Sequence, residues 1–165
     1  MSDDTEQIED LIRRWAAAVH TGDLEAVLAD HARDIVMYDV PPPYEGVRGL
    51  EAYRETWPGF FRWQASGAAF ELTELDVTAG ADVAFARALL ICGTPDETAS
   101  GQRLRLTIGL RKEDGRWIVV HEHHSFSDDR SAGAAVAERQ VRALHERWYA
   151  QTAAKDLDGM MEDMA

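Results

Sequence analysis

The stretch RLRLTIGLRKEDGRWIVVHEHHS, residues 103–125, decides the fold. Apolar and polar side chains alternate on both sides of Glu113-Asp114-Gly115, a turn sequence. A period of two is the signature of a strand with one covered face. The stretch therefore predicts two antiparallel strands, Arg103–Lys112 and Arg116–Ser125, joined by a tight hairpin. Working towards the N-terminus, Ala69–Thr78 and Val83–Cys92 predict two more strands, with Gly80-Ala81-Asp82 as their turn. The segment 93–101 connects this pair to the hairpin.

The pattern changes upstream of residue 69. Ile8, Leu11, Ile12, Trp15 and Val19 recur at helical spacing, which predicts an amphipathic helix over residues 5–20. His20-Thr21-Gly22-Asp23 is a turn, and Asp23 is placed to cap a second short helix running to Asp30. Ile35–Val40 predicts a short strand, stopped by Pro41-Pro42-Pro43 because proline donates nothing to a sheet ladder. Leu50 to about Phe61 predicts a third helix, disturbed by Pro58-Gly59. Helices followed by a run of strands give an α+β domain whose helices cover one face of the sheet. A strongly curved sheet covered in this way leaves a hollow that suits a small-molecule ligand.

Bulk properties narrow the function. A chain of 165 residues, 45% of them hydrophobic, is long enough for one domain with a real core. Its net charge of −13 repels phosphate backbones, so nucleic acid is not an expected partner. No apolar run reaches the ~20 residues that span a bilayer, and the acidic N-terminus lacks the features of a signal peptide, so no membrane partner and a cytoplasmic location are expected. Cys92 is the single cysteine, which rules out an intrachain disulfide or a cysteine-based zinc site; it reads as a buried strand residue. His121 and His123, two apart on one strand, point the same way, but nothing nominates a third metal ligand. No metal and no cofactor are expected.

The C-terminal tail repeats the beginning. Aligned from Gln7 and Gln140 without gaps, 26 residue pairs contain nine identities, among them Leu11/Leu144, Arg14/Arg147, Trp15/Trp148 and Asp23/Asp156. The reading is a domain over residues 5–127, a linker over 128–135 and a helical tail over 136–165 that resembles the start of a second copy of the domain.

The helix–Gly22-Asp23–helix opening, the strand carrying Asp39 before a proline turn, and the Asp114-Gly115-Arg116-Trp117 hairpin together resemble the ketosteroid-isomerase-like branch of the nuclear-transport-factor-2 superfamily. That branch includes polyketide cyclases of the SnoaL type. The resemblance implies a cone-shaped, curved antiparallel sheet covered by the N-terminal helices, and a homodimer formed through the sheet. The last strand is also similar to the association domain of a calmodulin-dependent kinase, an oligomerising module and not an enzyme. Carried over residue by residue, the resemblance puts Asp39 at the catalytic carboxylate. Trp15 falls at the position of the oxyanion tyrosine and Thr107 at that of the protonated aspartate. A tryptophan only donates and a threonine hydroxyl is a weak acid, so steroid isomerisation itself is not expected.

The resemblance also turns Ile118, Val120, Glu122 and His124 inward on the last strand, and Phe85 and Arg87 inward on the second of the four strands. The cavity is then expected to hold Asp39, Glu122, His124 and Arg87 as the chemical groups. Trp15, Val19, Trp57, Phe61, Trp63, Phe85, Thr107 and Val120 are the expected substrate-binding wall. By their own alternation Arg103 and Arg105 point outward. The function expected is a small isomerase, cyclase, lyase or hydrolase that uses a cavity carboxylate as general acid or base on an apolar carbonyl or ring substrate. The alternative is a non-catalytic ligand-binding or oligomerisation module.

Overall fold

Seven buried side chains along the first helix, α1 (Asp3–Thr21), form the stripe that lies against the sheet: Ile8, Leu11, Ile12, Trp15, Ala16, Ala18 and Val19. In the computed structural model, residues 3–127 are described, together with 141–143, 145, 146 and 149. Asp23 caps α2 (Leu24–Leu28) by accepting from the Ala26 N–H at 3.1 Å, as the turn sequence predicts. The strand expected at residue 35 starts earlier: β1 is His31–Tyr38, which brings His31 into the sheet. A two-residue strand, β2 (Val47–Arg48), precedes α3 (Leu50–Gln64). That helix runs through Pro58 and ends three residues beyond Phe61, with Tyr53 and Trp57 buried. Four long strands follow: β3 (Ala69–Ala79), β4 (Val83–Gly93), β5 (Leu104–Glu113) and β6 (Arg116–Ser125). Between β4 and β5 lies α4 (Pro95–Thr98), closed by a Thr94/Glu97 capping box.

The six strands form one sheet in the order β2-β1-β6-β5-β4-β3. Every pairing is antiparallel except β1 with β6, which is parallel because the helical layer is traversed between them. The fold is the expected α+β arrangement, with the helices on the concave face. Register shifts interrupt the β3–β4, β5–β6 and β1–β6 ladders. Each extra residue bends its strand and deepens the local twist, which curves the sheet. On β4 the inward side carries Ala84, Ala86 and Ala88, short side chains that let the helical layer approach closely. Asp4 ties the start of α1 down, accepting from Lys112 Nζ at 2.6 Å and from Trp117 Nε1 at 2.9 Å.

The shift in β6 corrects the expected phase of that strand. Gly109 pairs with His121 but Leu110 pairs with Val119, so Val120 is an extra residue. Trp117 and Val119 face the core before it, and Glu122 and His124 face the core after it. An unbroken alternation would have put Ile118 and Val120 on the side of Glu122; the bulge turns them away.

Residues 1–127 and 128–165 form two separate units. The expected linker over 128–135 lies outside the described residues. So does the tail over 136–165 with its duplication, except at the six helical, exposed positions named above. No helix among the described residues is long and apolar enough to cross a membrane.

Candidate functional site

A cavity of about 800 Å³ opens between α3, the end of β1 with its proline turn, and the 93–104 end of the sheet. Its wall is mainly aromatic and aliphatic, with Trp57, Phe60, Trp63 and Phe70 on one side and the Pro41–Pro43 turn on another. Edge-to-face contacts hold the aromatic wall in place: Trp57–Phe60 at 5.5 Å and Phe60–Phe70 at 5.6 Å between ring centroids. Gly46, at φ 74°, sits where a Cβ would collide with the Met37 carbonyl oxygen, so the loop under the proline turn closes tightly only with glycine.

The polar floor is a chain of side chains running from the cavity into the core. Asp39, its side chain 31% exposed, follows β1 and faces the cavity. Its Oδ1 accepts from the Val40 N–H at 2.8 Å and meets His124 Nδ1 at 3.2 Å. His124 Nε2 lies 3.2 Å from Glu122 Oε2. The other oxygen of Glu122, Oε1, lies 2.7 Å from His31 Nε2 and accepts from Tyr53 Oη at 2.9 Å. Tyr53 Oη in turn accepts from Trp15 Nε1 at 3.4 Å.

Electrostatics fix the charge along this chain. Burial by itself would raise the Glu122 carboxyl, but hydrogen bonds from His124 and His31 outweigh it and bring the group down to about 2. Burial by itself would lower His124, but its bonds to Asp39 and Glu122 carry it up to about 9. At neutral pH, His124 is therefore an imidazolium whose two N–H groups donate to Asp39 and Glu122. Tyr53 is pushed well above the ordinary phenol range by burial first and by the Glu122 charge second, so it stays a neutral donor. His31 Nδ1 is buried and meets no hydrogen-bond partner.

The structure brings together Asp39, Glu122 and His124, and it puts Trp57 and Trp63 on the cavity wall. The remaining placements need correction. Arg87 is on the outer face of β4, 64% exposed and paired with Asp76, with its guanidinium 6.0 Å from the Phe85 ring. Phe85 is 45% exposed on the same face. Inward and outward are exchanged on this strand because its three alanines, not its large residues, meet the helices. Thr107 is exposed beside Arg105 on β5, where that strand's own alternation puts it; position matching alone had turned it inward. Val120 is turned from the cavity by the bulge. Trp15 and Val19 are core residues of α1, and Phe61 stacks on Trp57 without reaching the cavity lining. Cys92 is half-buried and does line the cavity, with burial chiefly raising its thiol to about 11. His121 Nδ1 sits 2.8 Å from the Val36 carbonyl oxygen, and among the described residues there is no group of three His, Cys, Asp or Glu that could hold a metal.

His31 and Tyr53 were not anticipated. Tyr53 shares a helical face with Leu50 and Trp57, a spacing readable in the sequence. His31 pairs with a residue 91 positions away, and nothing local announces that.

A curved sheet with a helical cover and an open, apolar cavity defines a class, the nuclear-transport-factor-2-like proteins with the cystatin-like fold. Residues 8–129 match the SnoaL-like domain family, and the chain belongs to it. An NTF2-like protein of unknown function from Pseudomonas putida is 33% identical over 78% of this chain and 90% of its own, with a TM-score of 0.70. An NTF2-like protein with a cystatin-like fold from Novosphingobium aromaticivorans is 23% identical, covering 81% of this chain and 88% of its own at a TM-score of 0.65. A Shewanella frigidimarina protein provisionally assigned as a ketosteroid isomerase is 19% identical over 70% and 92% of the two chains, at a TM-score of 0.57, and shares the fold. No curated protein matches the chain.

Proposed function

We propose that this protein is a small-molecule enzyme of the isomerase, cyclase or lyase type, with Asp39 as the group that moves a proton. The observation that carries this is the chain Asp39–His124–Glu122, in which a carboxylate facing an apolar cavity is held by a buried imidazolium. Asp39 takes a proton from the carbon beside a carbonyl. The C–H bond breaks, an O–H bond forms on Asp39, and the electron pair moves towards the carbonyl oxygen. Return of that proton to another carbon isomerises the substrate; return to a leaving group eliminates it. His124 and Glu122 act through Asp39 as positioning residues. His124 fixes the Asp39 rotamer, and Glu122 balances the charge of His124.

The test is a panel of enones, epoxides and lactones offered to wild type and to Asp39→Asn. Turnover that disappears in a variant with an unchanged melting curve supports the reading. An unchanged rate in that variant removes Asp39 from the mechanism.

A second reading, a binding protein without turnover, is favoured by one observation: among the described residues no Arg or Lys lines the cavity. Both N–H groups of His124 are also engaged, so that side chain offers no further donor to developing negative charge. Thermal stabilisation by a ligand without turnover of any panel member selects this reading. The homodimer is likewise proposed, with the outer sheet face carrying Val83 and Phe85 as its surface. An unaltered sedimentation coefficient in Phe85→Glu against a dimeric wild type counts against that surface.

A further inference from the structure

The sign of the charge around the cavity is the opposite of what a guanidinium inside it would have given. Its charged lining is Asp39, Glu55, Glu97 and His124, while the Cys92 thiol, raised to about 11, stays neutral. His124 offers no free N–H, since both go to carboxylates, and one of those, Glu122, is buried just beneath. Three nearby guanidiniums are engaged elsewhere. Arg54 pairs with Glu25 at 2.6 Å, Arg103 donates to the Gly101 carbonyl at 2.9 Å, and Arg105 donates to the Phe126 carbonyl at 2.5 Å. Glu97 Oε2 is fixed by the Thr94 N–H at 2.7 Å, which holds that carboxylate below its usual range. Glu55 is exposed on α3 and has no ion-pair partner among the described residues. The rest of the wall includes Trp57, Phe60 and Trp63, whose π-faces attract cations. A net charge of −13 on the whole chain adds to the same field.

We propose that the cavity selects an apolar ring compound carrying a protonated amine, with the ring against Trp57, Phe60 and Trp63 and the ammonium group towards Glu55 and Glu97, which leaves Asp39 to the reacting carbon. This rests on reading the cavity as a small-molecule site and adds the charge class of what it takes. A carboxylate-bearing ligand of the same shape meets three acidic side chains and, among the described lining residues, no Arg or Lys; a neutral one gains only burial.

The full chain is titrated by calorimetry with three probes on one skeleton: naphthylmethylamine, naphthylmethanol and naphthoic acid. The amine is expected to bind roughly fivefold or more tightly than the alcohol, the size of a cation–π or charge contact in a part-desolvated site, with the acid weakest. Glu55→Lys, an exposed change on α3, is expected to narrow the gap between amine and acid, and added salt to do the same. If the alcohol binds as well as the amine, or the acid binds better, the charge proposal is overturned while the small-molecule reading stands. If none of the three binds, both are overturned.

Discussion

His124 Nε2 meets Glu122 Oε2 at 3.2 Å although the two residues are only two apart on β6, and this pairing turns the cavity floor into a row of alternating charges. Side chains at i and i+2 share a face of a strand, so the contact is geometrically natural. Its consequence is a buried imidazolium with a carboxylate on either side.

Stability should depend on pH in a definite direction. His124 is raised from 6.5 to about 9, so its contribution is complete below about 6.5 and is lost as pH rises through about 9. Glu122 is lowered from 4.5 to about 2, so its contribution is complete above about 4.5 and is lost as pH falls through about 2. The melting temperature is expected to be highest between these windows and to fall on the alkaline side. His124→Gln should flatten that alkaline decline. Superimposable alkaline limbs for variant and wild type would show that His124 is not the titrating group.

Glu122→Gln should be costly. The side chain is 1% exposed and serves His124, His31 and Tyr53 together. Removing one charge from a buried, paired cluster typically costs about 3–5 kcal/mol. Urea unfolding measures it, and a loss below about 1 kcal/mol would mean that the cluster relaxes or hydrates freely.

Tyr53→Phe removes one hydroxyl and keeps the ring. The hydroxyl donates to Glu122 and accepts from Trp15, so both are left short of a partner. The expected loss is about 1–3 kcal/mol in urea unfolding, the size of a buried polar group left unsatisfied. A neutral substitution would indicate that water replaces the hydroxyl.

Arg87→Ala should change little. The Arg87–Asp76 pair is on the surface, where such pairs contribute about 1 kcal/mol or less. Ligand affinity is expected to be unchanged, as judged by calorimetry with naphthylmethylamine. A large loss of binding would return Arg87 to the cavity.

Much of the fold was legible in sequence because strand and helix periods are local. The α1 stripe from Ile8 to Val19, the Asp23 cap, and the hairpin at Asp114-Gly115 all follow from residues within a few positions of one another. Asp39, Glu122 and His124 were also reachable, two of them as neighbours on one strand. Arg87, Phe85 and Thr107 were misplaced because matching positions to a family does not say which side of a strand meets the helices. On β4 that side belongs to Ala84, Ala86 and Ala88, whose small size suits a close helix.

The amino-acid order by itself determined the α+β architecture, the acidic surface and the presence of an Asp before a proline turn, since these depend on composition and short-range pattern. Tertiary structure alone decided the inserted Val120 in β6, the burial of His31 against Glu122 and the placing of Arg87 outside the cavity wall. The physical reason is that strand register and charge pairing are set by partners far away along the chain, and one extra residue reverses which side chains face inward.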